Sequence, residues 1–218
     1  MTTGDQRTGP DTGSPEIRRR RAVLAGHGGD REGATPFTAD PDPTVRSAAL
    51  GALSRLGALD DEVLLRGLAD SDAAVRRRAC ALAGGAAGDL SPNAVVVDGL
   101  VRATDDTDPS VAETATWALG EVGPRGGAAA VTALCRVASG HASPVCRESA
   151  VAALGAIGAP DALGVVLAAL DDTANIRRRA AIALAAFGDP RADEGLRRCL
   201  DDRDWQVRQA AEDLLADD

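Results

Sequence analysis

Apolar residues recur along the chain in a pattern that repeats about every 31 residues. Each repeat begins with an apolar residue, which we call the anchor: Val45, Val75, Val111, Cys146, Ile176 and Val207. Successive anchors are 30, 36, 35, 30 and 31 residues apart. A small residue follows four positions later, and in most repeats a leucine follows eight positions later. This spacing places the apolar residues on one face of an α-helix, so the sequence predicts a repeat protein with a helix at each anchor.

The residues around each anchor predict where these helices begin and end. Side chains that can cap a helix N-terminus stand three residues before the anchors, at Asp42, Asp72, Asp108, Ser143, Thr173 and Asp204. Glycines that accept left-handed dihedral angles follow the apolar face at Gly57, Gly123, Gly158 and Gly188. A second, shorter helix is predicted in each gap, over 60–69, 91–104, 126–138, 160–170 and 190–200. Each repeat is therefore a pair of helices.

The two ends of the chain depart from the repeat. Residues 15–39 predict a degenerate first helix pair, whose anchor is Ile17 or Arg18. Residues 204–215 predict a last helix without a partner, polar on one side, as expected of a cap on a stack of repeats. Residues 1–14 are polar and rich in glycine, proline and threonine, which favours a disordered tail. We expect one repeat domain over residues 15–218.

Composition narrows the classes of protein. Aromatic residues make up 2% of the 218 residues, which disfavours a β-sandwich or barrel. The basic residues are 24 arginines, with no lysine, against 33 acidic residues; the net charge of −9 disfavours general nucleic-acid binding. No apolar run reaches membrane-spanning length and the start lacks a signal-peptide pattern, so we expect a cytoplasmic monomer.

The cysteines and histidines do not form a metal-binding pattern. Cys80, Cys135, Cys146 and Cys199 lack the paired spacing of a zinc site and fall at small apolar positions, so buried free thiols are expected. His27 and His141 are far apart, and His141 occupies a turn position that is usually Asp. The sequence therefore predicts no metal and no cofactor.

The repeat resembles a known family. Segments such as DPDPTVRSAALGALSRLG and DTDPSVAETATWALGEVG follow the pattern DPxVRxxAxxALGxLG, which is similar to short HEAT repeats of the phycobilisome-lyase HEAT-like type. The resemblance covers about residues 15–218. It implies an all-α fold, a right-handed α-α solenoid of about six HEAT-like helix pairs. In such proteins the first helices form a convex wall and the second helices line a concave groove.

An arginine follows most of the anchors. It is present at Arg46, Arg76, Arg147, Arg177 and Arg208, and Ala112 interrupts the series. A cation at a helix N-terminus opposes the helix dipole, so each arginine needs an anionic partner. The Asp-rich turn of a neighbouring repeat is the expected partner, and ligand binding is the alternative. Trp117 lies within a helical pattern and is expected to pack against a neighbouring helix.

The resemblance is compatible with several functions. A protein-binding scaffold without enzymatic activity is the leading interpretation. A chromophore-handling subunit similar to the phycobilin lyases is the alternative, although no individual residue supports it. A HEAT-like DNA glycosylase is a further alternative, disfavoured by the net charge and by the scarcity of stacking aromatic residues.

A candidate partner site lies on the second helices. Aligning them on their last apolar residue brings four arginines into one row, which Ala168 interrupts: Arg66, Arg102, Arg136 and Arg198. The segment DALGVVLAAL carries no charge after Asp161, and we expect Val165, Ala168 and Ala169 to face outward. Each arginine could instead complement the C-terminal end of its own helix. The predicted partner is an acidic protein segment with one apolar anchor that binds near Val165 and Ala168.

Overall fold

The computed structural model describes residues 13–85 and 93–216, and every regular element in these stretches is helical. Contacts divide the chain into two compact units, Met1–Gly88 (unit 1) and Asp89–Asp218 (unit 2). Residues 1–12 of the predicted tail lie outside the described residues. Within the described stretches, each unit consists of stacked helix pairs, as the sequence predicts.

Within residues 13–85, the described part of unit 1, there are five α-helices and a 3-10 helix over Thr35–Ala39. The α-helices are α1 (Pro15–Gly28), α2 (Arg31–Ala34), α3 (Pro43–Arg55), α4 (Asp61–Leu68) and α5 (Ala73–Gly84). Helix α3 packs on both α1 and α5, while α4 packs mainly on α5. Helices α1, α3 and α5 are therefore the first helices of successive repeats, and α4 is a second helix.

Unit 2 continues the alternation of first and second helices. Its second helices are α6 (Ala94–Ala103), α8 (Gly127–Gly140), α10 (Leu163–Ala168) and α12 (Pro190–Cys199), and its first helices are α7 (Pro109–Val122), α9 (Pro144–Ile157), α11 (Ala174–Leu184) and α13 (Trp205–Ala216). Short 3-10 helices over Gly123–Gly126, Pro160–Ala162 and Ala169–Asp171 flank α8 and α10. First helices pack on first helices, with α9 between α7 and α11, and α13 on α11.

The predicted N-caps are confirmed where the capping residue is Asp. The carboxylates of Asp42, Asp72 and Asp108 each accept the backbone N–H two residues ahead, and Asp204 does the same for α13. Ser143 and Thr173 make no such bond, so the prediction is wrong for them. These two repeats keep only the turn bond before the helix, in which His141 accepts the N–H of Ser143 and Asp172 accepts that of Thr173.

Glycine has two separate uses in the repeat. Gly57, Gly123 and Gly158 have φ near +60°, as predicted for residues that follow a helix, whereas Gly188 has no positive φ and that prediction is wrong. A second set of glycines allows first helices to approach closely. A Cβ on Gly155 would lie 2.6 Å from the Cβ of Ala183, and one on Gly120 would lie 2.8 Å from that of Ala153.

The core consists of the predicted anchors and of the small residues that follow them. All six anchors are at most 1% exposed, and so are the six alanines that stand four residues after them, for example Ala49 and Ala180. In the degenerate first repeat, Arg18 replaces the anchor: Arg18, Ala22 and Gly26 form the buried face of α1, while Ile17 is 50% exposed.

Among the described helices, none has both the length and the apolar character needed to span a membrane.

Candidate partner-binding surfaces

Arginines and aspartates of successive repeats form a ladder of ion pairs. Arg46 donates from Nε and Nη2 to Asp70 at 2.7 and 2.6 Å, and Arg177 donates to Asp202 at 2.8 Å from both atoms. Arg147 pairs in the same way with Asp172. The predicted pairing with the Asp-rich turn of a neighbouring repeat is confirmed for these three arginines, whereas Arg208 donates to the carbonyl of Asp202 in the turn before its own helix. The three paired guanidinium groups hold repeats together, and their hydrogen-bonding capacity is largely used.

The ladder begins one repeat earlier than the sequence predicts. Arg18 donates to both carboxylate oxygens of Asp40, at 2.7 and 3.0 Å, although the spacing gives no clear anchor in that repeat. This hydrogen bonding holds the pKa of the Asp40 carboxyl below its usual value, and the Arg177 guanidinium does the same for Asp202. The Asp-x-Asp turn at Asp40, which matches the turns at Asp70 and Asp202, is the signal in the sequence that could have shown this pair in advance.

Both members of one ladder pair are replaced in unit 2. Ala112 occupies the arginine position on α7, and His141 occupies the aspartate position in the turn before α9. The Nδ1 atom of His141 accepts the N–H of Ser143 at 3.1 Å, as Asp202 accepts the N–H of Asp204. His141 therefore keeps the turn bond, which confirms its predicted turn role. It lacks the negative charge with which Asp would pair with an arginine.

The structure places the row of second-helix arginines in two units. Arg66 lies on α4 in unit 1 and forms an exposed pair with Glu62, 3.5 Å away. Arg102, Arg136 and Arg198 lie on α6, α8 and α12 of unit 2. All four are exposed at the surface.

Two of these arginines contact the end of the preceding second helix. Arg136 pairs with Asp105 and donates from Nη2 to Thr104 Oγ1 at 3.0 Å. Arg198 lies 3.7 Å from Asp171, which follows α10. The sequence offered the C-terminal end of the arginine's own helix as the alternative partner, whereas these contacts join neighbouring repeats.

Helix α10 lies between α8 and α12, which it contacts on either side. Ala168 is exposed and Val165 is half-buried, as an outward-facing pair would be. Ala169 is only 7% exposed, so its predicted outward orientation is wrong. The reason is the helical register: Ala169 stands three residues after the buried Val166, in the position that Val137 and Cys199 occupy on α8 and α12, and both of these are buried.

Other exposed groups lie on the first helices. Trp117 on α7 is 41% exposed and Ile182 on α11 is 42% exposed. Both stand six residues after their anchors, a position that points away from the core, so packing against neighbours covers only part of Trp117. Trp205, at the start of α13, is 64% exposed.

The cysteines are free thiols, as predicted. Cys80, Cys146 and Cys199 are buried and Cys135 is half-buried. Burial raises the thiol pKa of Cys135, Cys146 and Cys199, which keeps them protonated and unreactive. Within the two described stretches no group of three or more His, Cys, Asp or Glu side chains is arranged to hold a metal ion.

These features define the class: an all-α helical-repeat protein of the solenoid type, with an arginine–aspartate ladder between repeats. Residues 62–145 and 131–216 match the HEAT repeats family. The chain therefore belongs to the HEAT-repeat family.

Solved structures agree on the fold. An engineered protein is 20% identical, with a TM-score of 0.61, over 86% of this chain and 95% of its own. The complex of CpcE and CpcF of phycocyanin lyase from Nostoc sp. is 24% identical, with a TM-score of 0.57, over 85% and 75%. A designed armadillo repeat protein in complex with the peptide (KR)4 is 19% identical, with a TM-score of 0.57, over 96% and 95%. Among curated proteins, none matches the sequence significantly.

Proposed function

We propose that this HEAT-repeat protein is a scaffold or adaptor without enzymatic activity that binds a segment of another protein on the second helices of unit 2. The proposed contact surface is Val165 and Ala168 of α10, with Arg136 on α8 and Arg198 on α12 at its sides. The observation that carries the proposal is an uncharged helix with an exposed small side chain between two helices that present exposed guanidinium groups.

The shape of this surface suits a short apolar anchor. Because Ala168 is small and exposed, an incoming side chain can approach the backbone of α10 without a clash. Val165, half-buried next to it, offers apolar area that the core does not use. Apolar surface next to cationic residues is typical of partner sites, in which the buried centre is apolar and the rim is polar.

The electrostatics suit an acidic segment. The side chains of Arg136 and Arg198 are 50% and 61% exposed, and their partners Asp105 and Asp171 are 61% and 78% exposed. Exposed ion pairs of this kind contribute little to stability. A carboxylate on the partner can therefore replace Asp105 or Asp171 at small cost, and bidentate binding by arginine favours the exchange.

The test is capture of binding proteins from an extract of the source organism. Val165→Asp places a negative charge in the proposed apolar contact and should remove the captured partner. Val145→Asp is the matched control, because Val145 is 51% exposed on the first helix α9. Arg20→Ser on α1 should also leave capture unchanged. Equal capture by wild type and Val165→Asp, with helical circular dichroism intact, would contradict the proposed location.

Chromophore handling is not proposed. The likeness to the CpcE and CpcF complex is at 24% identity and concerns the fold. No side chain of the described surface favours a chromophore over a peptide.

A further inference from the structure

The first-helix side of unit 1 carries a second, separate surface. A concavity of about 900 Å³ lies across α1, α3 and α5. Three arginines line it, one from each helix: Arg19, Arg55 and Arg78. We refer to it as the arginine concavity.

The three guanidinium groups are exposed, and none has a hydrogen-bond or ion-pair partner within the described part of unit 1. The arginines that stabilise the fold are different: Arg46, on the same helix as Arg55, is bound to Asp70 and is 14% exposed in its side chain. Arg19, Arg55 and Arg78 therefore have donors available for a ligand.

Two of these side chains lie over glycines of the preceding helix. A Cβ on Gly51 would be 2.6 Å from Nη2 of Arg78, and a Cβ on Gly26 would be 3.0 Å from Nη1 of Arg55. Because Gly51 on α3 and Gly26 on α1 have no side chain, each guanidinium group can lie against the backbone of the neighbouring helix. Gly26 also faces an alanine, Ala52, just as Gly120 and Gly155 of unit 2 face Ala153 and Ala183. Gly51 faces only Arg78, so the glycine at this position makes room for a guanidinium group alone.

The concavity also has carboxylates on its N-terminal edge. Glu16, Asp42 and Asp72 line it there, and Asp42 and Asp72 are already used as helix caps. Arg19 lies near the same edge, one helical turn after Glu16 on α1, whereas Arg55 is the last residue of α3. The lining also includes the apolar side chains Val23 and Ala48. The ligand that fits is therefore negative where it meets the arginines, apolar at Val23 and Ala48, and not negative where it meets these carboxylates.

The charge of unit 1 agrees with this picture. Residues 13–85 contain eleven arginines and ten acidic residues, whereas residues 93–216 contain twelve arginines and eighteen acidic residues. An anionic ligand is therefore not repelled by unit 1 as it would be by a unit with the excess of acid found elsewhere in the chain.

We infer that the arginine concavity binds an acidic segment of a partner protein. In this arrangement, Asp or Glu side chains of the segment accept hydrogen bonds from Arg19, Arg55 and Arg78, and one apolar side chain contacts Val23 and Ala48. This site goes beyond the proposed function, because it lies on other helices of another unit. It makes the chain an adaptor with two independent docking surfaces.

A protein segment fits better than a nucleic acid. A nucleic-acid strand carries a negative charge on every nucleotide, so it would place phosphates against Glu16, Asp42 and Asp72. Three cations also neutralise few phosphates, which leaves little of the counterion release that drives nucleic-acid binding. A peptide can restrict its negative charge to the positions that meet the arginines.

The test uses the full chain and a defined probe. The probe is the fluorescein-labelled peptide Gly-Ser-Glu-Glu-Leu-Glu-Glu-Ala-Gly-Ser, and binding is followed by fluorescence anisotropy at low and physiological salt. A version with Lys in place of each Glu and a single-stranded DNA of similar length are compared with it. The expected result is binding of the Glu peptide, weaker at higher salt, and no binding of the Lys version.

Charge-matched variants locate the site. Arg19→Ala and Arg78→Ala should each weaken the affinity about tenfold, and the double variant about a hundredfold, since charged hydrogen bonds to arginine are the main contacts. Arg20→Ala and Arg77→Ala are the controls, because these neighbouring exposed arginines do not line the concavity. They remove the same charge and should leave the affinity within about twofold.

A positional variant separates geometry from net charge. Gly51→Ala keeps all the arginines, and the new methyl group displaces only the end of the Arg78 side chain, so the protein should stay folded and bind the Glu peptide several-fold more weakly.

Three outcomes would overturn the inference. One is absence of binding by the wild-type chain at peptide concentrations of about 1 mM. The second is equal weakening by the Arg20→Ala and Arg19→Ala variants, which would show general charge attraction. The third is arginine-dependent binding of the DNA in place of the peptide. Val165→Asp should not change peptide binding, so the second-helix surface and the arginine concavity can fail separately.

Discussion

The ladder pair Arg177–Asp202 offers the sharpest test of how the repeats are held together. Its side chains are 7% and 14% exposed, and two hydrogen bonds of 2.8 Å join them. Nη1 of Arg177 also donates to the carbonyl of Asp172 at 2.9 Å. The change to make is Asp202→Asn, which keeps the side-chain size and one oxygen but removes the charge and turns an N–H₂ group toward the guanidinium.

The expected loss follows from burial. Removing one partner of a buried ion pair leaves an uncompensated charge, which costs about 3–5 kcal/mol. Because the Asp202 side chain retains some contact with water, we expect a loss at the lower end of this range, about 3 kcal/mol in the free energy of unfolding. A loss of that size lowers the melting temperature of a chain this long by about 6–12 °C.

The assay is thermal and urea unfolding followed by circular dichroism, and the chain supplies its own control. Arg191 and Asp189 form a pair with similar distances, 3.0 and 2.8 Å, but the Arg191 side chain is 65% exposed. Asp189→Asn should therefore leave the melting temperature nearly unchanged. Equal shifts for the two variants, or no shift for Asp202→Asn, would refute the reasoning that burial gives the ladder its strength.

Three further predictions concern the close packing of first helices, the repeat in which Ala112 and His141 replace a ladder pair, and the dependence of stability on pH. Gly155→Ala should lower the melting temperature because its methyl group would meet Ala183, whereas Gly164→Ala, with open space around it, should raise stability by up to about 1 kcal/mol; the opposite order would refute the close approach. Ala112→Arg alone should destabilise the protein, and adding His141→Asp should recover stability in a double-mutant cycle; additive effects would show that no ladder pair forms there. The ladder carboxyls have lowered pKa values in the folded state, so the stability that they contribute is present above about pH 4 and is lost as the pH falls further. Unfolding measured as a function of pH should show this loss. A free energy of unfolding that stays unchanged down to about pH 2 would exclude a contribution from the ladder carboxyls.

Local interactions explain why much of the fold could be predicted from the sequence. The helical period at the anchors and the capping carboxylates of Asp42, Asp72 and Asp108 act within a few residues of the chain. The arginine that follows most of the anchors recurs at a nearly fixed spacing. A repeated local pattern leads to a repeated contact between neighbouring repeats, so the spacing alone predicts the ladder.

Contacts that depend on which side chains come within reach in a neighbouring repeat could not be predicted in the same way. Arg136 binds the preceding repeat because Asp105 and Thr104 lie within its reach. This contact does not follow from the helical period, which treats every arginine of the row alike. The burial of Ala169, in contrast, does follow from it, because the same register position is buried at Val137 and Cys199.

The helix pairs, their order and the ladder were thus determined by the sequence itself, because capping and apolar period are local properties. The division into two compact units and the arginine concavity were decided by tertiary structure. The sequence contains Gly51 and Arg78 in different helices with nothing to relate them. Only the close packing of α3 on α5 brings the guanidinium over the glycine, because a side chain at Gly51 would occupy the space that Arg78 now fills.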